Sequence, residues 1–184
     1  MTRTEIKIGG FGGQGIILSG YIIGKAAAIY DKKNATLTQA YGPEARGGAC
    51  SANVIISDDV VDYPKLIAPD ILVAMSQEAY SKFFPQLKND GYLIVEEDLV
   101  KTGTIEGNTK FYSIPASKMA EKIGRRIVAN IIMLGFFTAV TGAVSFQAMK
   151  ESILSSVPSG TLELNQKAFE AGYDYGLEKV KTKK

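Results

Sequence analysis

The residues with the clearest chemical potential form a glycine-rich segment near the start of the chain, Gly10-Phe11-Gly12-Gly13-Gln14-Gly15. The segment matches G-x-G-x-x-G and lies between a predicted strand, Glu5–Gly9, and a predicted helix, Ile16–Tyr30. Glycines permit a tight turn and a close approach of the backbone, and the N-terminus of a helix favours an anion. We therefore predict a phosphate- or cofactor-binding loop made by Gly10, Gly12, Gly13, Gln14 and Gly15. A tight turn without a ligand is the simpler alternative.

A second unusual segment is the connection Tyr41–Gly48, which contains a proline, three glycines and two opposite charges. An arginine on a rigid loop suits the bidentate capture of a carboxylate or phosphate. Alternatively, Arg46 pairs with Glu44 or contacts the first loop. In a doubly wound sheet both loops would emerge at the carboxyl ends of neighbouring strands, where ligands usually bind. The residues predicted to form this substrate or interface loop are Tyr41, Gly42, Pro43, Glu44, Arg46 and Gly47.

Several kinds of site are excluded by residues that the chain lacks. It has no histidine, so a Ser-His-Asp or Cys-His arrangement is impossible and the usual general base near neutral pH is missing. Its one cysteine, Cys50, cannot build a disulfide, a cysteine-only zinc site or an iron–sulfur cluster from this chain alone. We predict that Cys50 is a buried small hydrophobe. We assign no catalytic residue and no metal ligand to the chain.

An ordinary NAD-binding domain is weakly supported. That class needs an acidic residue about 20 positions beyond the glycines, at the end of the second strand. The acid at a suitable distance is Asp31, which falls before the second strand begins. A P-loop NTPase is excluded more firmly, because no Gly-Lys-Ser/Thr follows the glycines.

The chain-wide pattern alternates short apolar runs with helical periodicity, which predicts a Rossmann-like, doubly wound α/β fold with a mostly parallel sheet. We treat residues 1–184 as a single domain. Val60–Tyr63, after the turn residues Asp58 and Asp59, is predicted as a short hairpin arm. The further predicted strands are Ala35–Gln39, Cys50–Ser57, Ile71–Met75, Tyr92–Glu96 and Lys110–Ile114. The further predicted helices begin after the cap Ser76, at Pro115, at Ile127, after the cap Ser145 and at Glu163.

The bulk composition is that of a globular domain, with 46% hydrophobic and 22% charged residues. A net charge of +2 gives no electrostatic reason to expect nucleic acid. The longest apolar stretch, around residues 127–140, falls short of the ~20 residues that span a bilayer. We expect no membrane segment and a cytoplasmic protein.

Three motifs in order carry a resemblance to a known family: GGFGGQG at Gly9–Gly15, TQAYGPEARGGACSANVIIS at Thr38–Ser57 and PDILVAMSQEAY at Pro69–Tyr80. Together they resemble the γ subunit of pyruvate, 2-oxoglutarate and 2-ketoisovalerate:ferredoxin oxidoreductases. The likeness continues through Asn130 and Leu134-Gly135 to the last helix, and so covers nearly the whole chain. The short chain, without fused domains, resembles the γ subunits of the separate-subunit enzymes. Among these, the sequence is somewhat more similar to the 2-oxoglutarate type.

The resemblance implies a γ-type domain over residues 1–184 that is inactive alone. The implied complex decarboxylates a 2-oxoacid on thiamine diphosphate with Mg²⁺, passes electrons through [4Fe–4S] clusters to ferredoxin, and transfers the acyl group to coenzyme A. The implied partners are thiamine-binding α and β subunits and a ferredoxin-like δ subunit. The two loops would face the shared cleft and contact coenzyme A or a cofactor phosphate, or order the subunit interface. The alternative from another class is a stand-alone nucleotide- or coenzyme A-binding regulatory module.

Overall fold

The fold is built on one sheet, seen in a computed structural model that describes residues 3–41, 49–105 and 107–182. Within these residues the sheet has six strands: β1 (Arg3–Phe11), β2 (Asn34–Tyr41), β3 (Ala49–Ser57), β4 (Ile71–Ala74), β5 (Tyr92–Glu96) and β6 (Lys110–Ile114). Their order across the sheet is β2-β3-β1-β4-β5-β6. Strands β1, β4, β5 and β6 are parallel, whereas β3 is antiparallel to both of its neighbours, β1 and β2. The predicted mostly parallel α/β fold is confirmed.

Helices lie on both faces of the sheet, with five on one face and one on the other among the described residues. The helix bounds are α1 (Ile16–Lys25, continued by a π-helical turn at Ala26–Tyr30), α2 (Gln77–Phe83), α3 (Ala116–Ile123), α4 (Ala129–Thr141), α5 (Phe146–Leu154) and α6 (Leu162–Thr182). Alternate residues of β4 point to opposite faces, as the two-residue period of a strand requires. Ile71 and Val73 enter a large core with α1 and α3–α6, while Leu72 and Ala74 enter a small core beneath α2.

Two helix starts follow from serine caps that the sequence identifies. The Ser76 hydroxyl accepts a hydrogen bond from the Ala79 amide at 3.2 Å, and the Ser145 hydroxyl accepts one from the Ala148 amide at 3.2 Å. Each bond satisfies an amide that the first helical turn would otherwise leave unpaired. Both predicted caps are confirmed.

The longest helix, α6, packs closely on α4 because glycines line the contact. A Cβ at Gly172 would lie 1.9 Å from the Ile132 carbonyl oxygen, and one at Gly135 would lie 2.1 Å from the Phe169 carbonyl oxygen. The two backbones therefore approach within a distance that no larger residue permits. This contact holds the start of α6 beside the start of α4, where the cleft described below is formed.

Two predictions about the fold are wrong. Val60–Tyr63 forms no strand; residues 58–70 are instead held by side-chain bonds, including those from the Ile67 and Ala68 amides to the Glu5 carboxylate. The strands that carry the two loops are also not neighbours, because β3 lies between β1 and β2. The loops still leave the same edge of the sheet, since β1 and β2 run in the same direction.

Candidate functional site

The glycine loop is a four-residue connection between β1, which ends at Phe11, and α1, which begins at Ile16; the predicted loop residue Gly10 lies within β1. Gly13 has φ +94° and Gly15, the N-cap of α1, has φ +72°. Both values lie in the left-handed region, which costs a residue with a side chain about 1–2 kcal/mol. Gly15 makes no side-chain cap, so the first turn of α1 keeps unpaired amides at the loop.

Gln14 fastens the loop to the sheet. Its Oε1 accepts a hydrogen bond from the Phe11 amide at 2.6 Å, and its Nε2 donates to the Met75 carbonyl at 2.9 Å. Both polar atoms of the side chain are therefore engaged by the backbone. In this structure the side chain of Gln14 shapes the loop, and its contact with a ligand stays a prediction.

A cleft of about 660 Å³ opens beside the loop. One wall is the first turn of α1, and the opposite wall comes from the segments at residues 125–131 and 157–165. Most of the lining is apolar, and it includes Ile16, Ile17, Val128, Ile131, Val157 and Leu164. A ligand pocket of this size and character fits an extended molecule with a largely apolar arm.

The polar groups of the cleft are few and distinct. Asn130, only 6% exposed, makes no side-chain hydrogen bond within the described residues and faces Gly15, where a Cβ would lie 2.4 Å from its Nδ2. Arg125 is exposed and lines the cleft, so it can meet an anion there. Asn165 lines the cleft too, but its Nδ2 is bonded to the Thr161 carbonyl at 2.8 Å. Asn130 is therefore a buried polar group whose amide remains available to a ligand in the cleft.

A second cavity, of about 370 Å³, lies on the other side of the same loop. Gly13, Ile127 and Asn130 line both cavities, so they form the partition between them. Arg126 lines the second cavity and approaches Glu121 at 3.8 Å. Arg125 and Arg126, which are adjacent in sequence, therefore line different cavities on the two sides of the partition.

A buried carboxyl group lies next to the second cavity. Glu96 is fully buried, and its Oε1 accepts a hydrogen bond from the amide of Ser117, a residue of the cavity lining. Its Oε2 has no hydrogen-bond partner among the described residues. Burial raises the pKa of Glu96 above its ordinary value, with Asp98 adding to the rise and backbone amides opposing it. The side chain therefore favours its protonated form more than an exposed glutamate does.

The second predicted loop is only partly described. Gly42, Pro43, Glu44, Arg46 and Gly47 lie outside the described residues. Tyr41 and Ala49, which border this segment, both line the large cleft. Cys50 of β3, the strand between β2 and β1, lines it too. Cys50 is buried, as predicted, and burial raises the pKa of its thiol.

Sequence reasoning missed Arg125 and Arg126 and gave Asn130 no role in a site. The available signal was a Gly-Arg-Arg run before the most apolar helix and an asparagine inside that helix. The residues lie about 110 positions from the glycine loop along the chain, and only the packing of α4 against α1 brings them to it.

Two further observations on the described residues concern metal binding and ribose binding. They contain no group of three His, Cys, Asp or Glu side chains that could hold a metal ion. Asp31, the acid considered for ribose binding, accepts hydrogen bonds from the Ser145 amide and hydroxyl at 2.8 and 2.6 Å. The Asp31 carboxylate is thus bonded to the residue that caps α5 and does not line the cleft beside the glycine loop.

No helix in the described ranges has the length and apolarity to span a membrane.

The fold and the cleft together define an α/β domain whose glycine loop separates two cavities. The profile of the pyruvate ferredoxin/flavodoxin oxidoreductase family matches residues 5–175. The chain belongs to this family.

Similar proteins extend over the whole domain. The 2-oxoglutarate synthase subunit KorC of Methanocaldococcus jannaschii is 52% identical over 96% of this chain and 95% of its own length. The pyruvate synthase subunit PorC of the same organism is 30% identical over 95% of this chain and 98% of its own length. The crystal structure of the keto/oxoacid ferredoxin oxidoreductase γ subunit from Geobacter sulfurreducens shares 44% identity with a TM-score of 0.88, covering 97% of this chain and 98% of that one. The resemblance inferred from the three motifs is confirmed.

Proposed function

We propose that the chain is the γ subunit of a 2-oxoglutarate:ferredoxin oxidoreductase. The observation that carries the proposal is the glycine loop beside a 660 Å³ cleft, in a chain 52% identical to a 2-oxoglutarate synthase subunit. Identity to the pyruvate synthase subunit of the same organism is 30%, which favours 2-oxoglutarate over pyruvate. The complex would convert 2-oxoglutarate, coenzyme A and oxidised ferredoxin to succinyl-coenzyme A, carbon dioxide and reduced ferredoxin.

This chain would supply part of the active site and none of the redox centres. Its single cysteine cannot hold a [4Fe–4S] cluster, and its described residues offer no metal-binding group of acids for Mg²⁺ and thiamine diphosphate. Thiamine diphosphate, which stabilises the carbanion left by decarboxylation, would be held by α and β subunits. A ferredoxin-like δ subunit would hold the clusters.

Coenzyme A is the ligand that we assign to the glycine loop and cleft. Its phosphates would suit the unpaired amides at the start of α1 together with Arg125, and its long pantetheine arm, in which methylene and methyl groups separate two amides and a hydroxyl, would extend along the cleft. Asn130 would offer a donor and an acceptor partway along that arm. A loop that only orders the subunit interface would leave the affinity for coenzyme A unchanged when the loop is altered.

The substrate assignment is tested by steady-state kinetics on the assembled complex with 2-oxoglutarate, pyruvate and 2-ketoisovalerate. We expect kcat/KM for 2-oxoglutarate to exceed that for the other two acids by at least about ten-fold, corresponding to ~1.4 kcal/mol. Preference for pyruvate would contradict the 2-oxoglutarate assignment. A chain that binds coenzyme A but supports no turnover in any assembly would favour the regulatory-module alternative.

A further inference from the structure

The second cavity, of about 370 Å³, lies at the point of the sheet where α/β domains usually bind ligands. β1 and β4 are parallel neighbours, and the chain leaves them towards opposite edges of the sheet, with α1 on one face and α2 on the other. The crevice at the carboxyl ends of two such strands is the usual binding position. Gly13 and Gln14, which follow β1, and Met75, which follows β4, line the second cavity. No described residue of β4 or of the segment after it lines the large cleft.

Two buried residues that line the second cavity have polar side chains without partners in the part of the chain that the structure describes. The Ser117 amide donates to Glu96, but the Ser117 hydroxyl makes no hydrogen bond there, although the residue is only 9% exposed. The Asn130 amide, in a residue 6% exposed, makes none either. Buried polar groups nearly always have a hydrogen-bond partner, from the protein, from ordered water or from a ligand. The cavity therefore offers a hydroxyl and an amide that no described residue satisfies.

The charge of the second cavity suits a carboxylate. Arg126 is the one charged side chain among the described lining residues, and it is exposed. Its Nε lies 3.8 Å from the Glu121 carboxylate, which leaves the other guanidinium donors for a ligand. The buried Glu96 lies behind Ser117, and burial favours its protonated form. With one arginine and a glutamate close to it, the cavity suits a singly charged carboxylate better than a phosphate with two charges.

The remaining lining of the second cavity is largely apolar. Met75 is buried, whereas Leu99 is 37% exposed and Ile127 is 78% exposed. Covering apolar surface of this kind with an apolar group is favourable. The volume, about 370 Å³ against about 660 Å³ for the large cleft, requires a smaller molecule than the large cleft accepts. The ligand that fits is a carboxylate on a short apolar chain.

We propose that the second cavity is a regulatory site for a short apolar carboxylate, which binds Arg126 through its charge and Ser117 and Asn130 through hydrogen bonds. Asn130 also lines the large cleft, so the two cavities share its amide. A ligand in one cavity therefore weakens binding in the other, and linkage makes this effect reciprocal. The carboxylate site stands on residues of this chain alone, whereas its effect on coenzyme A rests on the proposed function.

The site is tested by calorimetric titration of the isolated full chain with 4-methylpentanoate, an acid that has no 2-oxo group to react. We expect saturable binding, and the uncharged 4-methylpentanamide should bind at least about ten-fold more weakly because a charged hydrogen bond is lost. Arg126→Gln should weaken binding of the acid by a similar factor. Arg125→Gln is the matched control, since the adjacent Arg125 lines the large cleft instead, and it should leave binding of the acid unchanged.

A second variant separates ligand binding from a structural role. Ser117→Ala removes a hydroxyl that has no partner among the described residues, so it should not lower the melting temperature of the chain. It should raise the dissociation constant of 4-methylpentanoate about five-fold, for one lost hydrogen bond.

Regulation is tested on the assembled complex at saturating 2-oxoglutarate. Added 4-methylpentanoate should raise the KM for coenzyme A to a limiting value, because both ligands still bind together. The complex that carries Arg126→Gln should lose this response.

Each outcome decides a different point. Absence of saturable binding to the isolated chain, binding that Arg126→Gln does not weaken, or tighter binding of inorganic phosphate would overturn the carboxylate site. A KM for coenzyme A that rises without limit would place both ligands in one site, and an unchanged KM would remove the regulatory role. A complex whose turnover does not depend on coenzyme A would contradict the proposed function, while the calorimetric titration would still decide the carboxylate site.

Discussion

Replacing Gly13 with alanine separates a ligand-binding loop from a structural turn. A Cβ at Gly13 would meet no atom within 4 Å, so the substitution creates no clash in the chain itself. Its folding cost is the left-handed backbone, φ +94°, at about 1–2 kcal/mol. The methyl group would, however, stand in the partition between the two cavities, where the proposed phosphate must approach the backbone.

The expected effect on the ligand is larger than the effect on folding. Losing one charge-assisted hydrogen bond costs about 1.5–3 kcal/mol, which corresponds to a rise of roughly 10- to 150-fold in the KM for coenzyme A. The control is Gly107→Ala, since Gly107 also has a positive φ, +80°, and open space around its Cβ position but lines neither cavity. Both variants should show similar losses in thermal stability.

The assay is coenzyme A titration of the assembled complex at saturating 2-oxoglutarate. An unchanged KM in Gly13→Ala, alongside the expected loss of stability, would refute the assignment of the loop to coenzyme A. Equal losses of affinity in the two variants would show that the effect comes from backbone strain alone.

Three further predictions concern packing, titration and ligand contact. Gly172→Ala, whose Cβ would lie 1.9 Å from the Ile132 carbonyl oxygen, should lower the free energy of unfolding by about 1–3 kcal/mol, whereas Gly24→Ala, with 3.9 Å of room, should raise it slightly in urea titrations. Because the pKa of Glu96 is raised in the folded chain, its contribution to stability is present at pH values below its ordinary pKa and is lost as pH rises through the folded-state pKa. Glu96→Gln should therefore match the native melting temperature at pH 4 and exceed it at pH 7; parallel curves would contradict the burial argument. Asn130→Ala should raise the KM for coenzyme A about five-fold, for one lost hydrogen bond, and a change confined to kcat would contradict its assignment to binding.

Most strands and helices can be predicted from the sequence, because apolar runs, helix caps and glycines determine the structure of their own segment. The strand Ile71–Ala74 is a compact apolar run, and Ser76 then caps α2 as its side chain and position require. The order of strands is different, since it depends on pairing between distant segments. The apolar alternation of Ala49–Ser57 is equally compatible with either neighbour and either direction, so the insertion of β3 between β1 and β2 could not be read from it.

The candidate site likewise contains some residues that a local motif identifies and others that only the packing of distant segments brings together. The glycines were identifiable because G-x-G-x-x-G has a mechanical meaning at a strand-to-helix junction. The role of the Gln14 side chain is not identifiable in this way, since its hydrogen bond to the Met75 carbonyl depends on where β4 ends. Asn130 and Arg125 reach the loop only through the packing of helices that are far apart in sequence.

The central claim is that this chain completes an active site whose cofactors are held elsewhere, and omission reconstitution tests it most directly. The candidate α, β and δ subunits would be purified separately and mixed with and without this chain, and ferredoxin reduction by 2-oxoglutarate and coenzyme A would be followed. We expect background rates from this chain alone and from the other three subunits alone, and full turnover only when all four are present. Full turnover without this chain, or by this chain alone, would contradict it.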